Sequence, residues 1–273
     1  MFERSRNQSL FISAFNLVEL IYHSAVRGVR KSHRNALVGL IINVVQSIIM
    51  VATFFIVFAI FGIRTAPLRG DYIMYILTGI ALFMVHTKSM GAVFGAEDST
   101  SPIMNHAPLN TIVTTSGAAL GALYVQLLSL LTILLFYHLF YQPLEIQDPV
   151  GALGVILLSW FSGVAIGLVL LAVKPWFPNF VSILQKVYSR ANMFTSGKMF
   201  VANTLPVSLL VMFSWNPLFH CIDQMRGFVF ENYTPRNSSL VYPIYFSLGV
   251  LTLGMMAEFF TRKSASLSWK AGR

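Results

Sequence analysis

Long apolar runs recur along almost the whole chain, and short polar segments separate them. A helix needs about 20 apolar residues to cross the hydrocarbon core of a bilayer, and five or six of these runs approach that length. Only 11% of the 273 residues are charged and 56% are hydrophobic, whereas roughly 25% of a soluble domain is charged. The pattern predicts an all-α polytopic membrane protein that forms a single transmembrane domain.

Charge and cysteine content narrow the functional classes. The net charge of +9 agrees with the enrichment of Lys and Arg on the cytoplasmic side of membrane proteins, so we expect no nucleic-acid partner. The single cysteine, Cys221, excludes an internal disulfide and a multi-cysteine metal site, and we predict no metal. Residues 1–10 have no apolar core followed by a small-residue cleavage site, so we expect no cleaved signal peptide.

The segment 10–34 has the pattern of an amphipathic helix. Its apolar residues are spaced three and four apart, and polar residues occupy the other face. The apolar face consists of Phe11, Phe15, Val18, Tyr22, Ala25 and Val29, and the polar face of Asn16, His23, Arg27, Arg30 and Arg34. We predict an interface helix in the plane of the membrane surface. A polar helix that contacts the rest of its own protein is the alternative.

Six membrane spans account for most of the remaining chain. They are predicted at residues 36–62, 72–94, 109–140, 150–173, 179–201 and 239–260. The third span contains Gly117 and Gly121, and the fourth contains Gly163 and Gly167. Small residues four apart allow membrane helices to approach closely. We interpret both pairs as helix-packing sites, with dimerisation as the alternative.

The region from Pro175 to Ser214 permits two interpretations. Hydropathy alone favours a span at Met199–Phe213, but 15 helical residues measure only about 22 Å, which is short for a core of about 30 Å. The preferred interpretation is a polar fifth span, 179–201, followed by a re-entrant region, 205–230. That region comprises two short helices, Leu205–Phe213 and Pro217–Phe230, which return to the same side.

A polar, helix-breaking segment, Trp215 to Arg226, lies within this re-entrant region. Unpaired polar groups cost several kcal/mol in hydrocarbon, so such a segment is tolerated only where protein buries it or water lines it. The segment therefore predicts a conduit through the membrane and not a simple membrane anchor. Asp223 and Arg226 are three residues apart, and we expect them to form an ion pair across one helical turn.

The distribution of basic residues gives the orientation. Twelve Lys and Arg fall in the segments assigned to the cytoplasm or its interface, and four fall in the outer loops. This excess predicts that both termini are cytoplasmic. Lys186, Arg190 and Lys198 remain unassigned.

Short motifs follow these spans in a recognisable order. Ser196-Gly197, Leu205-Pro206, Asn216-Pro217-Leu218 and the downstream Arg226 resemble the ABC-2-type transporter permeases, particularly those that export capsular and other cell-envelope polysaccharides. The resemblance covers nearly the whole chain. It implies a multi-pass protein of the bacterial inner membrane that works as a homodimer with an ABC ATPase subunit. Periplasmic and outer-membrane export proteins are further candidate partners.

The chain has no Gly-x-x-x-x-Gly-Lys-Ser/Thr phosphate loop, so we expect no enzymatic activity and no cofactor of its own. By resemblance, the partner subunit binds ATP and Mg²⁺, and residues 97–108 form the coupling helix that docks on it. Its candidate contact residues are Glu97, Asp98, Ser101, Pro102, Asn105 and His106, with Arg27, Arg30 and Arg34 on the adjacent interface helix. An ordinary solvated loop is the alternative for residues 97–108.

A path for polysaccharide needs aromatic rings that stack on sugars and polar groups that exchange hydrogen bonds. The candidates for the path or its gate are Phe54, Phe55, Phe58, Lys186, Tyr188, Arg190, Phe213, Trp215, Asn216, Pro217, Phe219, Asp223 and Arg226. Lys186 and Arg190 share one helical face, where they are placed to receive a phosphate or sugar acid, or to snorkel to the interface.

Other functions remain open at this stage. The same fold is suited to the export of a lipid-linked polymer, a lipid or a drug. An intramembrane enzyme that uses His220 with Asp223, or His106 with Glu97, is the most distant alternative, because neither pair belongs to a recognisable catalytic motif.

Overall fold

A computed structural model describes residues 10–32, 36–60, 70–97 and 110–268. Throughout these ranges the regular structure is helical. The helices are α1 (Leu10–Ser32), α2 (Ala36–Ile60), α3 (Tyr72–Phe94), α4 (Thr111–Phe140), α5 (Pro149–Val173), α6 (Pro178–Thr195), α7 (Val207–Phe213), α8 (Pro217–Val229) and α9 (Val241–Ser268), with one 3₁₀ turn at Ala202–Thr204.

Four of these helices, α3, α4, α5 and α9, are long and apolar enough to cross a membrane. The apolar part of α2, Ile41–Val57, is shorter. Four such helices in one chain indicate a membrane protein. Consistent with this, few residues in the apolar parts of α4 and α9 are buried inside the protein, whereas α3 is largely buried.

Capping residues explain several helix boundaries. The Asp71 carboxylate accepts a hydrogen bond from the Met74 amide at the start of α3, at 2.9 Å. The Asp148 carboxylate accepts from the Val150 and Gly151 amides at the start of α5, where Pro149 occupies the first helical turn. These side chains satisfy amides that the first turn of a helix leaves unpaired.

Two boundaries differ from the sequence-based predictions. The helix predicted within 179–201 ends at Thr195, because Gly197 adopts φ = +80°, a left-handed conformation that ends a helix. The last helix, α9, is instead longer than predicted, since it continues to Ser268 and does not stop near residue 260. The basic residues Arg262 and Lys263 are therefore part of the helix.

The centre of the fold is α3, which packs against α2, α4, α5 and α8. Glycines permit its close contact with α5. A Cβ atom at Gly163 would clash with the His86 carbonyl oxygen, and one at Gly167 would lie 2.7 Å from the Met90 carbonyl oxygen. The prediction that these glycines serve helix packing is confirmed.

The C-terminal half of α1 packs on α4. A Cβ atom at Gly117 would lie 2.5 Å from Ser24 Oγ, so the small residues of α4 accommodate α1 directly. In the preceding turns of α1, Phe15, Val18 and Tyr22 are exposed. The helix therefore contacts its own protein at one end and presents an unburied apolar face at the other.

Hydrogen bonds define two opposite ends of the molecule. At one, here called the Lys174 end, Lys174 Nζ donates to the Phe94 carbonyl oxygen at 3.4 Å and Trp176 Nε1 donates to Thr261 Oγ1 at 2.9 Å. At the other, the Asp148 end, the Asp148 amide donates to the Phe228 carbonyl oxygen at 2.8 Å. Residues 176–228 thus cross the molecule from the Lys174 end to the Asp148 end. The last helix, α9, runs back to the Lys174 end, where Thr261 contacts Trp176.

Candidate functional site

Arg226 holds the loop that joins α6 to α7, residues 196–206, to α8. Its side chain is fully buried. Nη1 donates to the carbonyl oxygens of Gly197 at 3.0 Å and Phe200 at 2.6 Å, and Nη2 donates to that of Lys198 at 3.0 Å. The guanidinium also lies 4.2 Å from the centre of the Tyr75 ring. One side chain of α8 therefore satisfies three carbonyls of the α6–α7 loop and contacts α3.

The predicted ion pair between Asp223 and Arg226 is wrong. The Asp223 carboxylate accepts hydrogen bonds from the Tyr233 hydroxyl and from Ser238 Oγ, the latter at 2.6 Å, while Arg226 binds carbonyls. Burial raises the pKa of Tyr233, and its hydrogen bond to the adjacent Asp223 raises it further. Asp223 thus attaches residues 233–238, which precede α9, to α8.

Asn216 connects the start of α8 to the end of α6. Its Oδ1 accepts from the Leu218 amide at 3.0 Å and caps α8, and Pro217 follows in the first helical turn. Its Nδ2 donates to Asn192 Oδ1 at 2.6 Å and to Thr195 Oγ1 at 2.9 Å. The turn between α7 and α8 is therefore fixed to α6 by side-chain hydrogen bonds.

His220 is held in one neutral form by its two partners. The Ser239 amide donates to Nδ1 at 3.1 Å, so Nδ1 is the acceptor. Nε2 therefore carries the proton that is donated to the Ser214 carbonyl oxygen at 2.6 Å. Both ring nitrogens are occupied by structural hydrogen bonds.

Lys198, which the sequence left unassigned, lies in an aromatic enclosure. The residue is only 3% exposed. Its Nζ is 3.5 Å from the centre of the Phe83 ring and 4.7 Å from that of the Phe54 ring. A Cβ atom on Gly79 would come within 2.8 Å of Lys198 Cβ, so this glycine admits the α6–α7 loop against α3. The only sequence signal is an isolated lysine in an apolar region.

A second buried network, centred on His86, was also missed by sequence reasoning. Ser162 Oγ donates to the Ser159 carbonyl oxygen and so accepts from His86 Nδ1, at 2.9 Å. His86 Nε2 then accepts from the Tyr188 hydroxyl at 3.1 Å. The network joins α3, α5 and α6. A lone histidine inside an apolar span is the signal that points to it.

The aromatic residues predicted for the path occupy different environments. Phe54 and Phe219 are buried in the core, whereas Phe55 and Trp215 are exposed. Phe213 stacks on Phe200 with ring centres 5.3 Å apart. Phe58 belongs to α2, but its side chain lies outside the part of the chain that the structure describes.

The remaining predicted residues are separate from this cluster. Lys186 and Arg190 are exposed on α6, and Arg27 is exposed on α1. Glu97 follows α3, and its carbonyl oxygen accepts from Thr114 Oγ1 at 3.3 Å. The predictions for Asp98, Ser101, Pro102, Asn105, His106, Arg34 and the side chain of Arg30 lie outside the described residues.

The described residues contain no group of three or more His, Cys, Asp or Glu side chains placed to hold a metal ion. The cluster formed by Asn216, His220, Asp223 and Arg226 instead joins two short helices to α6, to the α6–α7 loop and to the segment before α9. It is the candidate functional site. Comparison with known proteins adds no assignment, since no protein-family model and no curated protein matches the chain.

Proposed function

We propose that this chain is the permease subunit of an ABC-2-type exporter, which moves capsular or other cell-envelope polysaccharide across the bacterial inner membrane. Two copies of the permease assemble with two copies of a separate ATP-binding subunit. The observation that carries this proposal is the pair of short helices α7 and α8, inserted between α6 and α9 and held there by the buried hydrogen bonds of Asn216 and Arg226.

In the proposed topology, α2, α3, α4, α5, α6 and α9 cross the membrane and α7 and α8 form the re-entrant pair. The path of the chain supports this. Trp176 is hydrogen-bonded to Thr261 at the Lys174 end of the molecule, whereas Phe228 is hydrogen-bonded to Asp148 at the Asp148 end. An 18-residue helix such as α6 is about 27 Å long, so α6 with the loop that follows it covers the thickness of the hydrocarbon core.

The re-entrant pair acts as the gate at the outer end of the path. Irregular backbone at membrane depth must be supported by protein or must line a cavity, and Arg226 supplies such support for the α6–α7 loop. Aromatic groups next to this loop, including Phe54 and Phe213, are suited to stack on sugar rings. When ATP closes the partner subunits, rotation of the two permease copies opens the path along α2 and α6.

The coupling segment, residues 97–108, docks on the ATP-binding subunit at the Lys174 end. The position of α1 supports this assignment, because its Ser24 packs on Gly117 near the start of α4, immediately after that segment. An exposed Arg27 lies on the same helix. In the proposed assembly, the interface helix and the coupling segment both face the ATP-binding subunit from the cytoplasmic side.

Export is the better supported class when compared with an intramembrane enzyme. Both ring nitrogens of His220 are used in structural hydrogen bonds, and the Asp223 carboxylate is occupied by Tyr233 and Ser238. Their polar atoms thus already have structural partners, which favours a structural role for both groups. Glycosyltransferase genes beside this gene would favour a capsule-type cargo over a lipid or drug.

The decisive experiment combines co-purification with gene deletion. The tagged permease should co-purify with an ATP-binding-cassette subunit, and deletion of its gene should leave polymer in the cytoplasm while complementation restores surface polymer. A charge-reversed Glu97→Lys/Asp98→Lys variant should assemble poorly or lose ATPase coupling. Normal surface polysaccharide in the deletion strain would overturn the export proposal, and unchanged coupling in the variant would overturn the docking assignment.

A further inference from the structure

Buried hydrogen-bond donors without partners gather around the α6–α7 loop. Among the described residues, Tyr75 Oη, Ser196 Oγ, Lys198 Nζ and Arg226 Nε are all buried and have no hydrogen-bond partner. Roughly nine in ten buried polar groups in proteins are hydrogen-bonded. Four unused donors on one loop and its direct neighbours therefore indicate a site that is built to receive acceptor atoms.

Two of these donors are cationic, and the described residues place no carboxylate against either. Neither Lys198 nor Arg226 forms an ion pair with another described residue. Asp223, the nearest acidic residue in sequence to Arg226, is bonded to Tyr233 and Ser238. A buried charge is costly unless it is paired and hydrogen-bonded. The unused donors therefore favour an anionic ligand.

The two cations belong to one structural unit. Arg226 Nη2 is 3.0 Å from the carbonyl oxygen of Lys198, and the Tyr75 ring packs on the guanidinium. The Lys198 ammonium contacts the faces of Phe54 and Phe83. Cation–π contacts of this kind lack the directional demands of a hydrogen bond, so the ammonium is free to turn from the rings towards an oxygen acceptor.

We propose that Lys198, together with Arg226, forms an occluded binding site for the carboxylate or phosphate groups of an acidic polysaccharide. This inference rests on the proposed function and names the chemical class of its cargo. Lys198 is closed off in this structure and becomes accessible when the α6–α7 loop separates from α2 and α3. Phe54 and Phe83, freed from the ammonium, then face the apolar sides of the sugar rings.

An anionic polymer explains this arrangement better than a neutral one. A neutral sugar also accepts hydrogen bonds, but it does not offset the charge of Arg226 or of the protonated Lys198 ammonium. The site lies on the inward side of α2 and α3, since Phe54, Phe83 and Tyr75 are all buried. That position favours a polymer inside the path over an anionic lipid headgroup at the protein surface.

The test measures binding of defined oligosaccharides to the full-length protein in phosphatidylcholine nanodiscs by calorimetry. The probes are hexagalacturonate, which carries a carboxylate on each sugar, and neutral maltohexaose. Wild-type protein should prefer hexagalacturonate. Lys198→Met, which keeps an unbranched side chain between the two rings, should weaken hexagalacturonate binding about tenfold to a hundredfold, the value of one or two charge-assisted hydrogen bonds. Lys198→Arg should retain most of the affinity.

The matched control is Lys263→Met, which removes the same charge from an exposed position on α9 and should leave hexagalacturonate binding unchanged. Thermal melting of each variant establishes that it is folded. The proposal is overturned by equal affinity for both probes, by lack of wild-type binding, or by unchanged affinity in Lys198→Met. It is also overturned if phosphatidylglycerol in the nanodiscs abolishes hexagalacturonate binding, because the site would then bind a lipid headgroup.

These outcomes are separable from failure of the export proposal. If gene deletion abolishes surface polymer but Lys198→Met binds normally, only the anion site is wrong. If binding depends on Lys198 but the deletion strain has normal surface polymer, the site stands and the export function fails.

Discussion

The Arg226 side chain binds three backbone carbonyl oxygens that its position in the sequence does not predict. The α6–α7 loop leaves the carbonyls of Gly197, Lys198 and Phe200 without helical partners, and the guanidinium of Arg226 satisfies all three. An arginine offers five donors in a fixed planar arrangement, so it can bridge carbonyls that point in different directions. The same residue leaves Nε unused, which is why it also belongs to the proposed anion site.

Asn216 has two separable roles, and substitutions distinguish them. Asn216→Ala removes the cap of α8 and the hydrogen bonds to Asn192 and Thr195. We expect the free energy of unfolding to fall by about 3 kcal/mol, since the cap and each of the two hydrogen bonds contribute about 1 kcal/mol. Asn216→Ser keeps a capping oxygen, so it should be destabilised by about 1 kcal/mol less.

Thermal melting in detergent micelles, followed by tryptophan fluorescence, measures this difference. The exposed Asn237→Ala provides a control in the loop before α9. The hydrogen bond that Asn237 donates to the Ala202 carbonyl oxygen is long, at 3.3 Å, so this variant should melt close to the wild type. Equal melting temperatures for the Ala and Ser variants of Asn216 would show that its capping oxygen contributes nothing.

Sequence reasoning identified these polar residues but not their partners. Asn216, Asp223 and Arg226 stand out because polar groups in an apolar, helix-breaking segment need support. Spacing within a helix suggested that Asp223 and Arg226 pair, yet loop carbonyls 26 to 29 residues away in sequence attract Arg226. Lys198 and His86 were missed because the aromatic and hydroxyl groups around them come from other helices.

At the scale of helices, small residues determine how closely neighbours approach. Gly163 of α5 faces the backbone of α3 at His86, whereas at Gly154 of the same helix the methyl group of an alanine would have no atom within 4 Å. Gly163→Ala should therefore separate α5 from α3 and destabilise the protein by about 1 to 3 kcal/mol. Gly154→Ala should be neutral or stabilise α5 by up to about 1 kcal/mol.

The two alanine variants form a matched pair in one helix, and their thermal midpoints in the same detergent compare them directly. If Gly163→Ala melted at or above the temperature of Gly154→Ala, the close contact between α3 and α5 would not contribute to stability.

The apolar runs predicted most helices well, because burial in lipid or protein requires a continuous hydrogen-bonded backbone wherever the chain is apolar. The second predicted span coincides with α3, residues 72–94. The end of α6 was harder to predict from the sequence, since the apolar residues Met199, Phe200 and Val201 extend the apolar pattern past the helix. Gly197 and the carbonyl contacts of Arg226 end α6 at Thr195, and the second of these depends on tertiary structure.

At the scale of the whole molecule, the proposed topology depends on whether α6 crosses the membrane. If it does, the loop at Glu145 and the segment at Arg236 lie outside, and the α9 residue Lys263 lies inside. If α6 remains on the cytoplasmic side, α9 crosses in the opposite direction and residues 236 and 263 exchange sides. Residues 145, 236 and 263 are all exposed, so each is a suitable position for labelling.

Introduced cysteines test this directly, because the native Cys221 is buried and should contribute little background. In intact spheroplasts, a membrane-impermeant maleimide should label Glu145→Cys and Arg236→Cys but leave Lys263→Cys unlabelled. Permeabilisation should expose Lys263→Cys, while the wild type provides the background from Cys221. Labelling of Lys263→Cys in intact spheroplasts, together with protection of Arg236→Cys, would exclude the six-span arrangement and place the α7–α8 pair on the cytoplasmic side, where it could not form an outer gate.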